Sequence, residues 1–231
     1  MNDEYIIKPI AYIHNDLNTK FGVPRQSGLA ESLLSEIIFE PEYRVSDALR
    51  GITDFSHIWL IWSFSEARRS DWSPTVRPPR LGGNERVGVF ATRSPYRPNS
   101  LALSCVKLLR IEHREGKGEI LIVSGADLMN GTPIYDIKPY LPYADCKSDA
   151  VGGFARDGGK TLGVIDEDGE LDKLSPEKRN ALTELLARDP RPQYHDDCER
   201  VYGMSYGEFE VKFRVDGENV VVISVEKIQK M

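Results

Sequence analysis

Strand-like segments follow one another through the first 144 residues of this chain, with no helical segments alternating between them. The segments are rich in apolar, β-branched or aromatic residues, and turn-forming residues separate them. The segments are Tyr5–Ile13, Glu36–Glu40, Ile58–Phe64, Val87–Ala91, Leu101–Ile111, Ile120–Val123 and Ile134–Tyr140. A parallel α/β sheet needs crossover helices between its strands. We therefore predict a mainly β fold in which this part forms a closed or nearly closed antiparallel barrel.

The last part of the chain has a different pattern. Ser175-Pro176-Glu177 is typical of a helix start, and Asp189-Pro190 ends the apolar helical pattern that follows it. Residues Phe209–Val215 then alternate apolar and charged, and a turn leads into a second strand, Val220–Val225. The sequence thus predicts two domains, a β-barrel over residues 1–146 and a small α+β domain over residues 147–231.

Several classes of protein are disfavoured by composition. No apolar run approaches the roughly 20 residues that span a bilayer, and Met1-Asn2-Asp3-Glu4 lacks the positive charge of a secretory signal, so we expect a soluble cytoplasmic protein without membrane contact. The three cysteines include no CxxC pair and the four histidines no metal-binding spacing. We therefore expect free thiols and no metal.

Positive charge is concentrated in one stretch. The net charge of −6 comes from residues 145–231, whereas residues 1–144 carry 17 charges of each sign. Within the latter, residues 68–97 hold seven arginines against Asp71 and Glu85. Arginine suits bidentate contacts to phosphate or carboxylate. A solvated surface stripe is the alternative explanation.

The segment Val87–Asn99 combines an apolar start with a polar end that contains two prolines. Pro95 and Pro98 fix their own φ angles and discourage helix in the residues before them, so Arg93 and Asn99 should lie on a stiff, irregular loop. Rigid loops at strand ends are common places for binding groups. The segment therefore predicts a binding loop without identifying its ligand.

Polar residues occur at several other strand ends, and in a barrel these ends could meet at one rim. They are Arg25, Gln26, Ser65, Glu66, Arg93, Asn99, Asp136 and Tyr140. Each taken singly has an ordinary structural explanation, such as a turn cap or a surface charge. Neither a GxGxxG nor a GxxxxGK[ST] motif is present, so any nucleotide-like cofactor should not bind in a Rossmann crevice.

Five longer motifs resemble those of the TsaA-like TrmO family. They are Arg77–Asn84, Val87–Asn99, Asp127-Leu128, Gly131–Pro142 and Arg188–Tyr194, and the resemblance extends over nearly the whole chain. The resemblance implies an S-adenosylmethionine-dependent tRNA (adenine-N6)-methyltransferase with a single-sheet β-barrel. It also implies a homodimer with the cofactor near the subunit interface. The implied product is N6-methylated threonylcarbamoyladenosine at tRNA position 37, beside the anticodon.

The resemblance also implies roles for individual positions. The cofactor-binding positions are Pro24, Arg25, Gln26, Ser65, Glu66, Arg93, Leu103, Ile134, Tyr135, Asp136 and Ile137. Ser65-Glu66 stands where relatives commonly have His-Gln, and Asn99-Ser100-Leu101-Ala102 where they often have Asn-Pro-Ile-Gly.

Candidate catalytic residues are Asp136, Tyr140 and Asn99, and we expect Asp136 or Tyr140 to lie nearest the N6 proton, as base or as positioning group. Candidate contacts to the tRNA anticodon stem-loop are Arg77, Arg80, Arg86, Tyr96 and Arg97. The arginines would hold phosphates, and Tyr96 or Tyr140 would stack on the base.

Two other functions remain open from the residues alone. One is a non-catalytic RNA- or ligand-binding β-barrel module that keeps the arginine stretch. The other is an enzyme acting on a small carboxylate held by Arg93 and Arg97.

Overall fold

Within residues 5–66, 72–156, 158–191 and 197–229, which the computed structural model describes, twelve strands form three sheets. The first eight are β1 (Ala11–His14), β2 (Leu34–Phe39), β3 (His57–Ser63), β4 (Thr75–Val76), β5 (Val87–Gly88), β6 (Leu101–Arg114), β7 (Gly118–Ser124) and β8 (Pro133–Pro139). The others are β9 (Gly163–Ile165), β10 (Tyr202–Tyr206), β11 (Phe209–Asp216) and β12 (Asn219–Lys227). The α-helices are α1 (Pro142–Asp145) and α2 (Pro176–Ala187).

Six strands form a closed sheet in the order β1-β2-β7-β6-β3-β8. The sheet closes because β1 pairs with two neighbours, so that Ala11 lies opposite both Phe39 of β2 and Ile134 of β8. Every pair is antiparallel. Alternate residues of β3 point inward, and Ile58 and Leu60 are completely buried in the first hydrophobic core. The predicted mainly β character is confirmed.

Some predicted strands differ in extent. The first strand begins at Ala11 instead of Tyr5, after Pro9, which has no N–H to donate to a ladder. Strand β5 contains only Val87 and Gly88, and Val89–Ala91 form a 3-10 turn in which the Val89 N–H donates to the Pro74 carbonyl at 3.0 Å. The prediction of one strand from Val87 to Ala91 is therefore wrong beyond Gly88.

The C-terminal residues form a four-stranded sheet in the order β10-β11-β12-β9, with β9 parallel to β12. Helix α2 packs on this sheet through Leu182, Leu185 and Leu186. Its start follows the predicted pattern, because the Ser175 hydroxyl accepts from the Lys178 N–H and Pro176 occupies the first turn. An α+β arrangement of this segment is thus confirmed.

A second hydrophobic core lies between α2 and the C-terminal sheet, and it includes residues from the connection between β1 and β2. Leu17, Ala30 and Leu33 are buried in it together with α2 and the C-terminal sheet. Phe21 stacks on Tyr202 and Phe213, with ring centroids 6.4 and 6.3 Å away. We call residues 17–33 the bridging segment, since it leaves the barrel, enters the C-terminal core and returns.

Three further predictions concern membrane-spanning helices, metal sites and the pairing of cysteines. Among the residues described, no helix has the length and apolar character needed to cross a bilayer. The same ranges contain no cluster of three or more His, Cys, Asp or Glu side chains suited to a metal ion. Cys105, Cys146 and Cys198 are free thiols.

Replacing Leu182 with alanine should test the shared core. Because Leu182 is completely buried, we expect the free energy of unfolding to fall by about 2–5 kcal/mol in urea titrations. Hydrogen exchange should accelerate in the bridging segment as well as in α2. The matched control is Leu109→Ala, since Leu109 is 39% exposed on β6. Unchanged exchange in residues 17–33 of a destabilised Leu182→Ala variant would contradict a shared core.

Candidate functional site

A cavity of about 760 Å³ opens beside the barrel, within the 300–1,000 Å³ range typical of small-molecule sites. Its walls come from the bridging segment, β3, β6 and the loop that follows β5. The lining residues are Lys20, Val23, Pro24, Arg25, Gln26, Trp59, Ile61, Trp62, Phe64, Ser65, Glu66, Arg93, Pro95, Arg97, Asn99, Leu101, Ala102, Leu103, Ser104, Asp127, Met129 and Thr132. The cavity therefore brings together several of the predicted site residues. They are Pro24–Gln26, Ser65-Glu66, Arg93, Asn99 and Leu103.

Two glycines fix the position of the bridging segment at the cavity. The Gly28 N–H donates to the Gly125 carbonyl at 2.8 Å, and both residues have positive φ, +78° and +76°. A Cβ added to Gly125 would lie 3.3 Å from the Gly28 Cα. Backbone conformation favours glycine at both positions, and at Gly125 the close approach of the bridging segment favours it as well. The loop that carries Arg25 and Gln26 is thus held against the end of β7.

The segment after α2 supports the same loop. Nη2 of Arg25 donates to the carbonyls of Asp189 and Arg191, at 3.3 and 3.5 Å. Nε of Arg188 donates to the Leu29 carbonyl at 3.0 Å. Burial lowers the pKa of Arg25, against the opposing effect of Asp189, and nearby Arg80 lowers it further. Part of the Arg188–Tyr194 motif therefore braces the bridging segment, while residues 192–194 lie outside the described ranges.

The predicted binding loop is stiffened by its own hydrogen bonds. Ser94 N–H donates to the Thr92 hydroxyl at 3.2 Å, and Arg97 Nη1 donates to the Thr92 carbonyl at 3.2 Å. The Ser100 hydroxyl donates to the Pro95 carbonyl at 2.9 Å. Arg93, which also lines the cavity, donates to Oε1 of Gln26. The loop thus delivers an arginine to the bridging segment, and Arg97, which we predicted to contact RNA, also lines the cavity.

Asp127, which was not among the predicted site residues, lies in the cavity wall just after β7. The Ser104 hydroxyl donates to Asp127 Oδ1 at 2.5 Å, and the Trp62 indole N–H donates to Ser104 Oγ at 2.9 Å. Burial raises the pKa of Asp127, while Ser104 and the charge of Arg93 act in the opposite direction. Its only sequence signal was membership of the Asp127-Leu128 motif.

Asp136 and Tyr140 lie outside the cavity wall. Strand β8 has an irregularity where Ile61 pairs with Asp136 but the next residue, Trp62, pairs with Ile134. The skipped Tyr135 forms a bulge, so Ile134 is completely buried in the barrel while Asp136 lies on the outer face beside Ile61. Tyr135 and Ile137 are partly buried and do not line the cavity.

The outer face of β3 links these two residues to the cavity. Ile61 and Trp59 line the cavity, and the Trp59 ring lies 5.7 Å from that of Tyr140. The Asp136 carboxylate is 45% exposed and pairs with Lys138 Nζ at 2.9 Å. Desolvation raises the pKa of Tyr140, and the neighbouring Cys146 and Cys105 add to this. Asp136 and Tyr140 are thus neighbours of the cavity rim.

The predicted RNA-binding residues differ in exposure, and one of them, Arg97, lines the cavity. Arg77 and Arg86 are exposed, and Arg80 and Tyr96 are partly buried. Trp72 and Phe90 form an exposed stacked pair with centroids 6.3 Å apart, a feature that the sequence analysis missed. Two more arginines of the stretch, at positions 68 and 69, lie outside the described residues.

Comparisons with known proteins support the resemblance. Residues 12–146 match the model of the tRNA-methyltransferase O N-terminal domain, and residues 168–228 match that of the TrmO C-terminal domain. A tRNA (adenine(37)-N6)-methyltransferase of Escherichia coli is 39% identical over 94% of this chain and 96% of the relative. One from Eikenella corrodens is 46% identical over 76% of this chain and 99% of the relative.

A solved structure supports the same family assignment. The crystal structure of TrmO from Pseudomonas aeruginosa superposes with a TM-score of 0.78 at 30% identity, covering 96% of this chain and 99% of the other. Both family models, the curated relatives and the shared fold agree, so the resemblance inferred from the sequence motifs is confirmed. The chain belongs to the TrmO family of tRNA methyltransferases.

Proposed function

We propose that this protein transfers a methyl group from S-adenosylmethionine to N6 of threonylcarbamoyladenosine at position 37 of tRNA. The observation that carries the proposal is the cavity, where the motif residues of a family of tRNA (adenine(37)-N6)-methyltransferases converge. A relative from Pseudomonas aeruginosa, 37% identical over 89% of this chain, is described as a putative S-adenosylmethionine-dependent methyltransferase.

The cavity residues suit such a cofactor. A volume of about 760 Å³ is large enough for it, and most of the wall is apolar. The guanidinium of Arg93 lies in this wall and can hold a carboxylate. Arg25, Gln26 and Glu66 offer further partners for the polar groups of the amino acid and the ribose.

Methyl transfer forms an N6–C bond, leaves the C–S electron pair on sulfur and releases the N6 proton. The chain contributes alignment through Arg25 and Arg93, which are both held in place by hydrogen bonds. Trp62 and Phe64 exclude water from one side, their rings 4.6 Å apart. Asn99 lies at the mouth of the cavity, where it can orient the incoming base.

Asp136 is the stronger candidate for the proton acceptor. Its carboxylate lies on the face shared with Ile61, whereas the raised pKa of Tyr140 keeps that phenol protonated at neutral pH. Tyr140 is then suited to stacking on the base or donating a hydrogen bond. This division of roles extends the site from the cavity to the outer face of the barrel.

A homodimer would enclose that outer face. Leu103 is 52% exposed and Leu101 38%, and both line the cavity next to Trp59 and Ile61. Exposed apolar patches of this kind mark interfaces. We propose that a second copy of the chain covers this face, near the cofactor. Sedimentation equilibrium of the purified chain should then give the mass of two copies, and the mass of one copy would contradict the proposal.

The central experiment combines methyl-labelled S-adenosylmethionine, unfractionated tRNA and the purified chain, followed by nucleoside analysis. We expect the label in methylated threonylcarbamoyladenosine, and none with tRNA that lacks the threonylcarbamoyl group. Label in plain adenosine at position 37 would leave the methyltransferase in place but contradict the proposed substrate. Binding of tRNA without any label would favour a non-catalytic RNA-binding module.

Replacing Asp136 with asparagine should separate chemistry from binding. A proton acceptor in the transition state contributes about 10²- to 10⁴-fold, so we expect the single-turnover rate to fall by that factor. Calorimetry should show an unchanged Kd for S-adenosylmethionine. Asp47→Asn, which alters an exposed carboxylate outside the cavity, is the matched control. Full turnover by the Asp136→Asn variant would rule out a base role.

Binding of tRNA should depend on the exposed arginines. We expect the double variant Arg77→Glu, Arg86→Glu to bind tRNA at least about tenfold more weakly, with a shallower dependence on salt, because fewer counterions are released. Filter binding from roughly 50 to 200 mM salt measures both quantities. The charge-matched control is Arg50→Glu, outside the arginine-rich stretch. A flat salt dependence in the wild-type protein would exclude this surface as the RNA face.

A further inference from the structure

The cavity contains a partly buried carboxylate that the proposed reaction has not used. Asp127 lies in the same wall as Arg93, close enough for their charges to interact. Asp136 and Tyr140, by contrast, lie outside this wall. A carboxylate withdrawn from water is costly unless it is paired or hydrogen-bonded, so the groups around Asp127 indicate what it can bind.

The hydrogen bonds around Asp127 fix its role as an acceptor. An indole N–H can only donate, so Trp62 occupies a lone pair of Ser104 Oγ at 2.9 Å. The Ser104 proton is then directed at Asp127 Oδ1, 2.5 Å away. The Ser27 backbone also favours the charged form of this carboxylate and so lowers its pKa. These donors orient Asp127 without supplying a cation.

Arg93 supplies the complementary charge a short distance away. Gln26 holds it through one nitrogen, and an arginine has five N–H donors in a planar fork. The cavity lining therefore includes a carboxylate and a guanidinium whose charges interact. An α-amino acid has the matching arrangement, with an ammonium and a carboxylate on neighbouring atoms.

We propose that Asp127 accepts the α-ammonium group of the methyl donor while Arg93 holds its α-carboxylate. The inference rests on the proposed function, since it assumes that S-adenosylmethionine occupies this cavity. It assigns Asp127 a binding role that is distinct from proton acceptance by Asp136. It also explains the Trp62–Ser104 pair, which keeps the carboxylate oriented toward the cavity.

The test compares three ligands on the wild-type protein and on Asp127→Asn by calorimetry. S-adenosylmethionine and S-adenosylhomocysteine both carry the amino-acid head, and only the first has a sulfonium charge. 5′-Methylthioadenosine has neither. We expect Asp127→Asn to weaken the first two equally, by about 10- to 100-fold, and to leave the third unchanged.

Each other outcome has a defined meaning. A loss confined to S-adenosylmethionine would assign Asp127 to the sulfonium and overturn the inference. The inference would also be overturned if the affinity for all three ligands fell equally, or if it stayed unchanged for all three. If the wild-type protein bound neither S-adenosylmethionine nor S-adenosylhomocysteine, the proposed function itself would fail. The amide oxygen that Asp127→Asn introduces can still accept the Ser104 proton, so the thermal midpoint without ligand should match that of the Asp47→Asn control.

Discussion

The contact between Gly28 and Gly125 determines where the candidate site can form. It brings the backbone of the bridging segment to within a hydrogen bond of the end of β7, at positions where any side chain would be strained or would clash. Arg25 and Gln26 extend from one side of this contact, and Asp127 from the other. The polar part of the cavity therefore depends on two turns whose positive φ angles favour glycine.

The C-terminal unit packs against the bridging segment, which forms one side of this contact. Its core buries Leu17, Ala30 and Leu33 of the bridging segment, and Glu184 accepts hydrogen bonds from the Ser32 backbone and hydroxyl at 2.8 and 2.5 Å. The segment is thus fixed at several points before and after the residues that line the cavity. Bracing of the bridging segment is favoured over RNA contact as the main role of this unit, because its charge is strongly acidic.

Much of the architecture followed from strand-like composition and turn signals in the sequence, whereas parts of the site did not. These signals placed β3, β6 and β7, and the loops that carry Arg25, Gln26 and Arg93 meet at one cavity. Asp127 could not be selected, since the partners that orient it lie far away in sequence. The bulge at Tyr135 likewise reverses the face on which Asp136 lies, and a bulge in β8 leaves no clear sequence signal.

The absence of a phosphate-binding motif is consistent with the ligand that we propose. A glycine-rich turn at a helix N-terminus serves mainly to bind phosphate, and S-adenosylmethionine has none. Its charged groups are an ammonium, a carboxylate and a sulfonium, which single side chains can match. A barrel provides such side chains at strand ends, where Asp127 and Arg93 are held by separate hydrogen bonds. We therefore expect the side-chain charges of Asp127 and Arg93, and not a phosphate-binding backbone turn, to select the ligand.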